Sequence, residues 1–179
     1  MRIAPFFHSH STIGPGAEGG VTLLEGILAL AATVLVGAVG ATALRTYLAR
    51  AEIEESVAFA KYAQDQITRS FRRTGSPPAD GASAGFSSDD LRDTGRYVAE
   101  IRIVDGRIDL VFGAEASGAL EGRTLSLTPF ETADGQVVWV CGSKAPGVGL
   151  QPLGFAGGGP LAVQPPTTIE PRYLPRTCR

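Results

Sequence analysis

Residues 20–44 read GVTLLEGILALAATVLVGAVGATAL, and their polarity decides the architecture. From Gly26 to Leu44, nineteen residues carry no charge, and only Thr33 and Thr42 are polar. As a helix rising about 1.5 Å per residue, this run reaches across a hydrocarbon core about 30 Å thick. One carboxylate, Glu25, stands immediately before it. A carboxylate in lipid costs about 2.5–3.5 kcal/mol on insertion scales and calls for a partner. A plainer reading puts Glu25 at the membrane surface, where a helix start favours negative charge. Upstream, residues 1–20 (MRIAPFFHSHSTIGPGAEGG) are polar, hold one Arg and end in Gly-Gly. A secretory signal has the opposite order, with a basic start, then an apolar core, then the cut. A cut after Gly20 leaves the apolar run on the mature chain. Ala41-Thr42-Ala43 is the nearest match to a conventional signal-peptidase site and lacks a polar mature start behind it.

Downstream, residues 45–74 become one-sided. Ile53, Val57, Ala60, Ile67 and Phe71 recur at three- and four-residue steps, and Glu52, Glu55, Lys61, Asp65, Arg69 and Arg72 occupy the other faces as a solvated surface. The spacing predicts one continuous helix of about fifty residues, apolar all round in its first half. Thr74-Gly75-Ser76-Pro77-Pro78 ends it. Residues 76–95, rich in Ser, Gly, Ala and Asp, read as a loop with a short turn near Asp89–Arg92. Strand patterns follow at 97–104 and 107–112 across Asp105-Gly106, then at 123–128 and 136–141 around Asp134-Gly135. The expected fold class is α+β, a long helix packed on a four-stranded antiparallel sheet. The Gly- and Pro-dense residues 142–179 read as irregular.

With 179 residues and a net charge of −2, the chain has room for one compact domain plus one long element, and no global pull toward nucleic acid. Its only histidines, His8 and His10, lie in the leader, and neither a G-x-S-x-G elbow nor a Walker A sequence occurs. No catalytic residue, cofactor site or metal site is therefore expected, and the chain reads as a non-enzyme. Gly157-Gly158-Gly159 lacks the Lys-Ser/Thr and helix of a phosphate loop. Arg172, Arg176 and Arg179 form a small basic cluster that reads as ordinary surface, with DNA phosphates as the alternative contact. Cys141 and Cys178 can pair if the domain is exported; otherwise they are two separate buried thiols.

Gly20, then Val21-Thr22-Leu23-Leu24-Glu25, resembles the cleavage signature of type IV prepilins. Tyr47-Leu48-Ala49-Arg50-Ala51-Glu52 is similar to the stretch at which the stalk of those proteins leaves its apolar zone, in the same register. At the other end, Val138-Trp139-Val140-Cys141 and Tyr173-Leu174-Pro175-Arg176-Thr177-Cys178 resemble the two edges of the closing loop in type IVa major pilins. Pseudopilins generally lack that loop.

The resemblance implies cleavage between Gly20 and Val21, an N-methylated Val21, and Glu25 neutralising the amine of an adjacent subunit to set filament register. It also implies a Cys141–Cys178 disulfide, whose 36-residue loop the chain-entropy account values at roughly 3–4 kcal/mol. The expected layout is a leader over 1–20, a transmembrane and filament-core helix over 21–44, an amphipathic helix over 45–74, a connecting loop over 75–96, the sheet over 97–141 and the closed loop over 142–179. Implied partners are further copies in a helical filament, a prepilin peptidase, an inner-membrane platform protein and assembly ATPases. The implied location is the inner membrane before assembly and an extracellular pilus after it. Adhesion, twitching motility and DNA uptake stay open as roles, with DNA or a surface receptor as ligand. The alternatives are a minor pilin, a type II secretion pseudopilin, or a singly anchored periplasmic binding domain.

Overall fold

The computed structural model describes residues 22–92, 95–157 and 160–179. The chain divides into two compact units, Met1–Val39 and Gly40–Arg179. Within the described residues of the first, α1 (Leu23–Phe59) begins and carries apolar side chains on every side. Leu23, Leu24, Ile27, Leu28, Leu30, Val34, Leu35, Val36 and Val39 are all exposed.

In the second unit, α1 is followed at once by α2 (Lys61–Thr74). The junction residue, Ala60, has ψ −7°, but the bonds Ala60 N–H to Ser56 O and Gln64 N–H to Ala60 O, both 3.0 Å, carry the helical ladder through it. The expected single helix therefore holds, with one relaxed turn. Gly75 ends it in the left-handed region at φ 72°, donating to Phe71 O at 2.7 Å. Ala49, Ile53, Ala60, Ala63 and Ile67 form the buried stripe. Val57 and Phe71 sit at its half-buried margin.

That stripe meets an antiparallel sheet of order β1 (Val98–Val104), β2 (Arg107–Phe112), β3 (Thr124–Glu131), β4 (Val137–Cys141). Asp105 and Gly106, with φ 49° and 80°, make the two-residue turn that the Asp-Gly pair forecasts. Ile101 pairs with Leu110 and Ile103 with Ile108, and both pairs are buried. A register shift between Val98 and Glu100 displaces the inward alternation of β1 by one residue. Leu110 and Leu125 pair in the next ladder, continuing the inward row.

Beyond the helix-covered face, the sheet gains a second cover at β3. Leu125 to Phe130 are all buried, so both faces are covered. The cover is the C-terminal segment, which is tied down rather than loose. A fifth strand, β5 (Gln151–Pro152), pairs with Phe130 and Glu131. Arg107 Nη1 donates to Val163 O at 3.0 Å, Thr124 N–H to Thr168 Oγ1 at 2.7 Å, and Gln164 Nε2 to the carbonyls of Gly142 and Lys144. Within it, Leu153, Ala162, Ile169 and Leu174 are buried. The Cys141–Cys178 disulfide closes this segment onto β4. Gly142 is required there: at φ 62°, a Cβ on it would lie 2.5 Å from Cys178 O.

Candidate functional site

Two features predicted from the sequence, Gly20 and Val21, lie outside the described residues, as do His8 and His10. The described site begins at Thr22 and Glu25. Thr22 precedes α1, and its carbonyl accepts the first helical bond from Gly26 N–H at 3.0 Å. Its hydroxyl accepts from Glu25 N–H at 3.3 Å, while Glu25 Oε2 accepts from Thr22 N–H at 2.9 Å and from Thr22 Oγ1 at 3.1 Å. This is a reciprocal capping box, in which a Thr N-cap and the Glu three residues later satisfy each other's orphan amides. The sequence reading missed it, although Thr-x-x-Glu before an apolar run is its signature. Both side-chain bonds converge on Oε2, and Oε1 accepts none among the described residues.

Beyond Glu25 the helix offers no chemistry except surface. Leu23 is 84% and Val36 73% exposed. Monomeric soluble proteins rarely expose contiguous apolar patches larger than a few hundred Å², so a helix apolar on all sides marks an interaction surface for lipid or protein. Within the second unit the pattern changes side chain by side chain. Arg45, Tyr47 and Leu48 are exposed, Ala49 is fully buried, and Arg50 Nη2 donates to Arg172 O at 2.7 Å.

Glu52 departs from the solvated role expected of it. Its Oε2 accepts the Ser117 backbone N–H at 2.9 Å, stitching the helix to the turn between β2 and β3. Ser56, one turn on, is buried and donates to Glu52 O at 2.8 Å. The C-terminal basic cluster is divided. Arg172 pairs with Glu170 at 2.8 Å and lies 4.8 Å from the centre of the Tyr173 ring, while Arg176 and Arg179 are exposed. Among the described residues no group of His, Cys, Asp and Glu side chains is arranged to hold a metal ion.

The loop between α2 and β1 repeats the same local device. Asp80 Oδ1 accepts from Ser83 N–H at 2.8 Å, and Asp90 Oδ2 from Ser87 N–H and Oγ at 2.8 and 2.6 Å. The Ser83 backbone N–H, then its side chain, hold the Asp80 carboxyl below the usual range. The Ser87 hydroxyl, then its N–H, do the same for Asp90.

A family model for pilins, proteins of bacterial filaments, matches residues 49–179. A type IV major pilin protein, PilE1, of Neisseria gonorrhoeae is 27% identical over 163 residues, covering 90% of this chain and 87% of the relative. A fimbrial protein of Neisseria meningitidis serogroup A is 27% identical over 164 residues, covering 90% and 94%. The fimbrial protein EcpC of Eikenella corrodens is 27% identical over 167 residues, covering 90% and 91%. With the helix, the antiparallel sheet and the disulfide-closed C-terminal segment in place, the chain belongs to the pilin family, among the type IV pilins that form the subunits of pilus filaments.

Proposed function

We propose that this chain is a major, non-enzymatic subunit made as a prepilin, cut between Gly20 and Val21 and N-methylated on Val21. It is held in the inner membrane by its apolar helix and then drawn into an extracellular filament. The observation that carries this reading is the exposed apolar start of α1 with Glu25 as its one ionisable side chain before Arg45. Cleavage creates an α-amino group on Val21. Glu25 of a neighbouring copy is the matching charge, and Oε1 is the oxygen left for it. An unpaired charge in an apolar bundle costs several kcal/mol, so a helix packed out of register is penalised even if the pair itself adds little. The partners this entails are the prepilin peptidase, a membrane platform protein and assembly ATPases. The layout of leader, core helix, amphipathic helix, loop, sheet and closed loop follows the boundaries read from the sequence. The major-pilin reading over a pseudopilin draws support from the Cys141–Cys178 closure.

Mass spectrometry of sheared surface filaments tests the proposal. A peptide beginning at methylated Val21 is expected; finding only uncleaved, membrane-bound monomer would refute it. Two substitutions separate the duties of Glu25. Glu25→Gln keeps a capping-box side chain and removes the charge, whereas Glu25→Ala removes both. Both variants are expected to insert in the membrane, and both are expected to fail in filament assembly. Normal filaments from Glu25→Gln would show that the carboxylate serves only the helix start. Adhesion, twitching motility and DNA uptake are separated by phenotype of the same strains.

A further inference from the structure

A second polar site lies within the globular unit, where the helix leaves its apolar zone. A cavity of about 440 Å³ is lined by Arg45, Leu48, Ser117, Arg123, Glu170 and Tyr173, among others. Its charge balance is positive. Arg45 and Arg123 have no carboxylate partner among the described residues, and Arg123 spends only one weak bond, from Nη1 to Thr168 O at 3.3 Å. Glu170 is already held by Arg172 at 2.8 Å, and Glu52 faces the Ser117 amide with Arg50 nearby. Two guanidiniums, Arg45 and Arg123, thus line the groove against one carboxylate, Glu170, which Arg172 already holds.

Two other unpaired donors lie near the groove but do not open into it. Ser117 Oγ and Arg50 Nε are both buried and have no hydrogen-bond partner. Both atoms are closed off from the groove, so they cost the fold about 1–3 kcal/mol each, and the donors left to a ligand are the guanidiniums of Arg45 and Arg123. The ligand that suits guanidinium donors is an oxyanion, taken in a charge-assisted and often bidentate way.

Position selects the source of the oxyanion. Arg45 is the first charged residue after the run that ends at Leu44, so it stands where a membrane helix meets the headgroup layer. Tyr173, with an apolar ring and a polar tip, is of the residue type enriched at that level. We propose that, before assembly, this groove binds the phosphate of an anionic phospholipid headgroup, phosphatidylglycerol being the representative. Arg45 and Arg123 supply both the charge and the hydrogen bonds. The bound lipid would hold the globular unit against the bilayer at the level from which the subunit is extracted. This rests on the membrane-held stage of the proposed function.

The test uses the full chain reconstituted in vesicles of phosphatidylcholine alone or mixed with phosphatidylglycerol. Carbonate extraction reports whether the helix is inserted; hydrogen exchange of residues 117–123 reports the groove. Phosphatidylglycerol is expected to slow exchange in that segment. Arg123→Gln is expected to raise the half-saturating lipid fraction about tenfold, the scale of one lost charge-assisted bond. Extraction of the chain by carbonate would defeat the membrane stage itself. An inserted chain whose 117–123 exchange ignores phosphatidylglycerol, or ignores Arg123→Gln, would overturn the lipid site alone. Equal protection by inorganic phosphate or duplex DNA in phosphatidylcholine vesicles would assign the groove to another oxyanion and likewise overturn it.

Discussion

Replacing both Cys141 and Cys178 with Ala removes the covalent closure of the C-terminal segment. The bond joins residues 37 apart in sequence. Releasing a loop of that length returns about 4 kcal/mol of chain entropy to the unfolded state at 25 °C. For a chain of this size, about 2–4 °C of thermal midpoint accompanies each kcal/mol, so a drop of about 8–16 °C is expected. Trp139 is the only tryptophan and lies two residues before Cys141 on β4, so its fluorescence reports unfolding of the sheet. Guanidinium titrations of the detergent-solubilised full chain, oxidised against the double variant, give the free-energy difference. Native-state hydrogen exchange separates the two ways the bond can act. If it works through the unfolded chain, Ser143, Leu153 and Ala162, whose amides donate to Cys178, Pro129 and Leu153, keep their protection relative to β2. If it is a local clamp, those amides exchange faster while β2 does not change. A free-energy loss below about 1 kcal/mol would refute the entropic reasoning.

Three further outcomes follow from single contacts. Glu52→Ala removes the carboxylate that accepts the Ser117 amide and should lower stability by about 1.5–3 kcal/mol in the same titration; a change under 0.5 would be, on the order of surface effects, a sign that water replaces the bond. Thr128→Val should stabilise by about 1 kcal/mol, because Thr128 Oγ1 is fully buried without a partner; destabilisation would point to an acceptor or water at that hydroxyl. The carboxyls of Asp80 and Asp90 are held below the usual range, so their stabilisation is present above the unfolded aspartate value near about 4 and is lost as pH falls through their lower folded values. Thermal midpoints should therefore be level above about pH 5 and decline toward pH 3, and Asp80→Asn with Asp90→Asn should make that decline shallower. An unchanged acid slope in the double variant would locate the effect elsewhere.

The parts of this fold that depend on periodicity could be read from the chain directly. The seven-residue spacing of Ile53, Ala60 and Ile67, two helical turns each, marks the buried stripe, and Asp105-Gly106 marks the turn because few residue pairs tolerate two positive φ values. What escaped the reading depends on partners distant in sequence. Glu52 looks like any exposed helix charge until Ser117, 65 residues away, brings its amide to it. The coverage of β3 on both faces was hidden for the same reason. The burying segment is rich in Gly and Pro and has no periodicity of its own, and its order comes from Arg107, Thr124 and the disulfide. Local capping was a different failure. Thr22–Glu25 and Ser87–Asp90 are legible at short range, from a hydroxyl and a carboxylate three residues apart.

The two meanings of Glu25 are compatible, and the geometry says how. A carboxylate has two oxygens, and the capping box occupies Oε2 alone. Satisfying the N-terminal amides of α1 fixes the rotamer of the side chain, which leaves Oε1 presented at a defined point on the helix start. A partner charge arriving from a neighbouring copy then meets an acceptor whose side-chain entropy has already been spent in the subunit. The box alone does not select glutamate, because Asp90 closes the same pattern on Ser87. Under the proposed register role of Glu25, Thr22 belongs to the same site. Its hydroxyl and amide hold the carboxylate in the one orientation from which a charge outside the chain can read the register of the helix.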